Sequence, residues 1–153
     1  MPSKIYSTND ADWDNVVKIH KYDFYALRMY VHHDAKKIKG DAKLFHIYDQ
    51  GYSLAVPLII QKVPHKFLYS NESTFDAISP YGYPGILFKS EAINKEKDFR
   101  TALSKLIEVL KNNNICCALI RLHTFLNSNT QILNEFGHIN FKGETVWIDL
   151  KKS

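Results

Sequence analysis

The stretch Ile115 to Leu122 is nearly continuous in apolar residues. It follows the cleanest helical stripe in the chain, formed by Phe99, Ala102, Leu103, Leu106, Ile107 and Leu110. A strand without polar alternation is expected to be buried on both faces, with helices covering the sheet from either side. Apolar residues three and four positions apart mark a helix that turns one face to such a core. These two segments predict a central strand that anchors the sheet of an α/β domain. The 153 residues, 45% hydrophobic and 13% aromatic, supply enough apolar surface for one core and argue against intrinsic disorder.

The rest of the chain fills in that frame. A strand is predicted around Lys4 to Tyr6, with Asn9 as a cap for a first helix carrying Trp13, Val16, Val17 and His20. Phe24, Leu27, Val31, Ala35 and Ile38 continue the helical period in a second segment that Gly40 ends. Ala42 to Tyr48, a turn at Asp49-Gln50-Gly51, and Tyr52 to Val63 read as a hairpin. Pro57 lacks a backbone donor, so it is expected at an edge or a bulge. Lys66 to Ser70 reads as a further short strand, Asp76 to Gly85 as a structured loop, and Leu87-Phe88 as a strand leaving it. The long helix is expected to end near Asn112 to Asn114. Ser128 to Phe136 predicts a short helix stopped by Gly137, and Thr145 to Leu150 alternates as a final strand. This order is that of a mixed-sheet α/β sandwich, and no Pro-, Gly- or Ser-rich linker divides residues 1–153, so one domain is expected.

Composition narrows the function classes. The first residues lack the apolar stretch of a secretory signal, and the longest uncharged apolar segment, Gly51 to Gln61, contains Pro57 and falls short of the roughly 20 residues that span a bilayer. A cytoplasmic chain with no membrane span is expected. Cys116 and Cys117 are adjacent in an apolar run, which predicts buried thiols and neither a disulfide nor a metal site. The net charge of +4 is spread along the chain, with its densest basic stretch at Lys36, Lys37, Lys39 and Lys43. His32-His33-Asp34 are consecutive helical residues that do not face one another, so no metal is expected there. The motifs of serine hydrolases, zinc proteases, P-loop nucleotidases and zinc ribbons are absent from the sequence.

One segment is more specific. Asp76-Ala77-Ile78-Ser79-Pro80-Tyr81-Gly82-Tyr83-Pro84-Gly85 resembles the aspartate plus TPYGYxGP loop of the Fem-type aminoacyl and peptidyl transferases, a family of the GNAT-like acyltransferase superfamily. Supporting matches are Asp23-Phe24-Tyr25, Leu44-Phe45, Pro57-Leu58, Arg121-Leu122-His123, and the run from Gly143 to Leu150, which resembles the family's GxTVxIDL strand. The resemblance spans almost the whole chain and corresponds to the first of two tandem GNAT-like domains. It implies a GNAT-like mixed sheet and an acceptor-binding role toward a cell-wall precursor. It also implies that a second domain, which engages the aminoacyl-tRNA donor, is needed for transfer. Attack of an amine on an activated ester depends on orientation and charge stabilisation, so no fixed catalytic motif is expected and catalytic residues stay unassigned. The segment Phe88 to Phe99 contains no glycine, which argues against the phosphate-cradling loop of a conventional acetyl-CoA enzyme, and no cofactor is expected.

The candidate substrate-binding residues are Asp76, Tyr81, Gly82, Tyr83, Gly85, Arg121, His123, Tyr25 and Lys36. The tyrosines would form a groove wall, and the glycines would allow close backbone approach. Arg121 and His123 follow the predicted central strand, where open α/β sheets place ligand-binding groups. Each has a bland reading beside it: a packed connector for the loop, a carboxylate capping local N–H groups for Asp76, a salt bridge or satisfied imidazole for Arg121 and His123, and rim packing for Tyr25 and Tyr30. The expected partners are a peptidyl or anionic acceptor and a second GNAT-like domain or second copy. The competing functional classes are a non-enzymatic assembly module and a standalone N-acetyltransferase.

Overall fold

The computed structural model describes residues 2–68, 73–126, 130–144, 146 and 151. Its elements are β1 (Ser3–Ser7), α1 (Trp13–Lys18), a 3-10 turn (Phe24–Ala26), α2 (Arg28–Lys37), β2 (Asp41–Asp49), β3 (Tyr52–Lys62), a second 3-10 turn (His65–Phe67), β4 (Phe75–Ile78), β5 (Leu87–Ser90), α3 (Lys95–Asn112), β6 (Ile115–Leu119) and α4 (Thr130–Phe136). The six-stranded sheet runs β1-β2-β3-β4-β6, with β5 also paired to β3. All pairings are antiparallel except β4 with β6, which is parallel. This is the mixed-sheet α/β architecture that the sequence predicts.

The two-residue period of the hairpin builds two cores. Leu54, Val56 and Leu58 of β3, with Phe45 and Ile47 of β2, pack with Phe99, Ala102, Leu103 and Leu106 of α3 and Ile132 of α4. Ala55 and Ile59, with Ala42 and Leu44, face the opposite way and pack with Trp13, Val17, Val31 and Ala35 of α1 and α2. Each large side chain removed from water in this way contributes about 1.5–3 kcal/mol. Capping supplements packing on α3, where the Asn94 side chain accepts from the Lys97 N–H at 3.1 Å.

Several expectations need correction. Asp76 to Ile78, read as the start of a structured loop, belong to β4 and pair with β3, so the irregular segment begins only at Ser79. Asn9 does not cap α1; the helix begins at Trp13, and Asp10 instead accepts hydrogen bonds from the Ser7 N–H and hydroxyl. The second helical segment is broken at Leu27, which is extended between the 3-10 turn and α2. The left-handed residue after α2 is Lys39, not Gly40; a Cβ on Gly40 would lie 2.3 Å from Ile59 Cγ2, so that glycine answers to packing. Lys66 to Phe67 belongs to a 3-10 turn, and the end of that predicted strand lies outside the described residues. The predicted closing strand, Thr145 to Leu150, also lies outside them apart from Val146, which is exposed.

Pro57 occupies neither an edge strand nor a bulge. β5 covers one edge of β3 at residues 52–55 and β4 covers the same edge at 59–62, leaving 56–58 without a partner there. Pro57 sits in that window, where a missing donor is tolerated. Because β4 and β5 lie end to end along β3, the segment 79–86 is an excursion from one strand line. Eight residues cover a span that β3 crosses in three.

Among the described residues, the strand expected at the centre of the sheet is at its end. β6 has β4 on one side, and only Ile115 is buried; Cys116, Cys117 and Ala118 are exposed and Leu119 is 56% exposed. The two cysteines are therefore exposed thiols, not buried ones. α3 reaches β6 mainly through Ile115, and the remaining apolar residues have no helix across them among the described residues.

Candidate functional site

The excursion is fastened first by Ser79, which is 1% exposed. Its N–H donates to the Leu119 carbonyl at 2.9 Å, prolonging the β4–β6 pairing. Its hydroxyl oxygen accepts from the Arg121 N–H at 2.9 Å, and its carbonyl accepts from Arg121 Nη1 at 2.9 Å. At the other end the Gly85 N–H donates to the Arg121 carbonyl at 3.1 Å. Arg121 thus closes both ends of the loop. Its guanidinium is engaged with backbone, so an anion would have to share it.

α2 holds the tip of the loop. The buried Asp34 carboxylate accepts from the Tyr81 N–H at 2.6 Å, and the Tyr30 hydroxyl donates to the Tyr81 carbonyl at 3.0 Å. Burial, and then the neighbouring Asp34, push the Tyr30 phenol above its ordinary pKa, keeping it a donor at neutral pH. Gly82 lies over the Tyr25 ring with φ +91°, and a Cβ there would meet the ring carbons at 2.3 Å. Position 82 therefore demands glycine twice, for its backbone and for its clearance.

Below the loop, Phe24, Tyr25 and Tyr30 form an aromatic cluster. The Phe24 and Tyr25 centroids are 4.1 Å apart, and Tyr30 meets both rings edge-on at 5.2 and 5.3 Å. Trp13 fixes this turn from within, its indole N–H donating to the Ala26 carbonyl at 3.0 Å. Above it, Tyr81 is 73% and Tyr83 54% exposed, so both rings present most of their surface outward. The result is an aromatic surface at the carboxyl ends of the parallel β4 and β6, the position at which open α/β sheets take ligands.

His123 ties the chain after β6 to this cluster. Its Nδ1 accepts from the Phe125 and Leu126 N–H groups at 3.1 and 3.2 Å, which places the ring proton on Nε2. Nε2 then donates to Asp23 Oδ2 at 3.2 Å, beside Tyr25. Both nitrogens are thus engaged in holding the chain after β6 against the aromatic cluster.

Seven of the nine predicted residues are thus assembled: Tyr81, Gly82, Tyr83 and Gly85 on the loop, Arg121 and His123 after β6, and Tyr25 beneath. Two are not. Asp76 lies within β4, exposed, and accepts from the Cys116 thiol at 3.1 Å. It is three residues before Ser79, about 10 Å down the strand, and caps no loop N–H. Lys36 is exposed in the last turn of α2. It is two residues from Asp34, so the helical period turns it away from the loop. Sequence reasoning missed Ser79, Asp34 and Asp23. Ser79 carried a signal in its Ser-Pro dipeptide; Asp34 and Asp23 act on residues 47 and 100 positions away, which no local pattern encodes.

No family model matches the chain, and no curated protein matches it. Two solved structures resemble it over 98% of its length, a tetramutant of the BH1408 protein from Bacillus halodurans, covered to 100%, and a single mutant of the same protein, covered to 99%, each at 11% identity with a TM-score of 0.46.

Proposed function

We propose that this chain is an acceptor-binding domain of the Fem-like, GNAT-related acyltransferase class, and that it holds a peptidyl acceptor such as a nucleotide-linked cell-wall precursor. The observation that carries the reading is the tyrosine-bearing excursion, fastened by Ser79 and Arg121 to the carboxyl ends of the parallel strands and by Asp34 to α2. A rigid aromatic wall orients a peptide or sugar without supplying a nucleophile, which suits a transfer whose barrier is lowered by positioning. Neither the loop nor the strand exit provides an unengaged acid–base pair, so transfer itself is assigned to an assembly with a second domain.

Calorimetric titration with nucleotide-linked cell-wall precursors tests this. Saturable binding is expected, weakened about two- to tenfold by Tyr81→Ala or Tyr83→Ala, the loss of one aromatic contact of roughly 0.5–1.5 kcal/mol. Absence of uptake by this chain and by its assembly with a second domain would sink the reading. A second reading, a non-enzymatic assembly module, is favoured by one observation, the exposed and uncharged strand β6. A strictly monomeric chain in light scattering counts against it.

A further inference from the structure

Three lysines from separate parts of the chain line one cleft of about 440 Å³, beside the buried His20: Lys21 in the segment after α1, Lys89 on β5, and Lys95 at the first turn of α3. Lys21 and Lys95 have no carboxylate partner among the described residues, and Lys89 has only a 3.7 Å contact with Glu91 in which both side chains are exposed. Such an exposed pair contributes little. The other carboxylates close in sequence, Glu96 and Asp98 in the first turn of α3, are already engaged: Asp98 accepts from the Ser90 hydroxyl at 2.6 Å and Glu96 from Arg100 Nη1 at 3.3 Å. Three like charges gathered in a cleft repel one another in the absence of an anion and are relieved by one. Ammonium groups also suit phosphate oxygens as point-charge partners. The same cleft carries an apolar wall, the exposed Ile19 and half-buried Phe88.

We infer that this cleft is a binding site for a phosphate or diphosphate ester, its oxyanion held by Lys21, Lys89 and Lys95 and its apolar group resting on Ile19 and Phe88. The cleft shares no residue with the tyrosine surface, so this site stands or falls independently of the acceptor reading.

The test is an NMR titration of the isotopically labelled chain with inorganic phosphate, pyrophosphate and phenyl phosphate, against sodium chloride at matched ionic strength. Saturable shifts are expected at residues 20–21, 88–90 and 95, with pyrophosphate and phenyl phosphate both binding more tightly than phosphate. The double variant Lys21→Gln/Lys95→Gln should weaken pyrophosphate at least tenfold, while the exposed Lys37→Gln and Lys111→Gln leave it unchanged. Shifts that track chloride, or equal losses in all lysine variants, would overturn the oxyanion site. Phenyl phosphate binding no better than phosphate would overturn the ester assignment.

Discussion

A methyl group at position 82 has nowhere to go. The backbone there has φ +91° and the Tyr25 ring lies 2.3 Å from where a Cβ would stand. Gly82→Ala is therefore expected to cost about 1–3 kcal/mol, read as a lower denaturation midpoint, and to shift the aromatic resonances of Tyr25. Asp34 makes a different kind of demand, because its carboxylate satisfies the Tyr81 N–H from a buried position. Asp34→Ala should destabilise by about 1–3 kcal/mol, whereas Asp34→Asn, which keeps an acceptor oxygen, should recover most of the loss. Equal midpoints for the two variants would show that the contact is not what anchors the loop. At this scale the sequence announces Gly82 through its turn chemistry, and is silent about Asp34. A carboxylate in a helix looks the same whether it faces water or caps a distant loop.

Among the elements, β6 shows what an apolar run does and does not encode. Its composition correctly predicts a strand after α3, yet it does not specify how many neighbours that strand has. The same pattern that reads as a centre is found here at the end of the sheet formed by the described residues. Both thiols should consequently react with a maleimide in the native protein without denaturant, as intact-mass measurements would show. Cys116 should lag behind Cys117. Its hydrogen bond to the Asp76 carboxylate, with burial adding to it, raises its pKa and lowers its thiolate fraction. Asp76→Asn should remove that lag. The hairpin and α3 were legible because period and length agree over many residues, while the place of Pro57 within the hairpin was not. The break at Leu27 was not, since Phe24, Leu27 and Val31 keep helical spacing across a non-helical residue.

For the molecule as a whole, the face of the sheet that packs α1 and α2 also holds a buried polar pair, His46 and Ser53, with Nε2 2.8 Å from the Ser53 hydroxyl. Burial, reinforced by His20 and Lys4, brings the His46 pKa down to about 4 from 6.5. Between those values the unfolded chain binds a proton that the folded chain refuses, so stability must fall as pH drops from about 6.5 toward 4 and level off below. Urea midpoints measured across that range should show the slope, and His46→Gln should flatten it. The overall α/β order was readable from the sequence, but such a buried pair depends on which faces the strands turn inward. A final consequence belongs to the two short strands laid end to end against β3 opposite Pro57. Because each strand keeps its own register on β3, a change in the number of residues between them does not by itself re-thread the sheet, and its cost falls on the loop's own anchors.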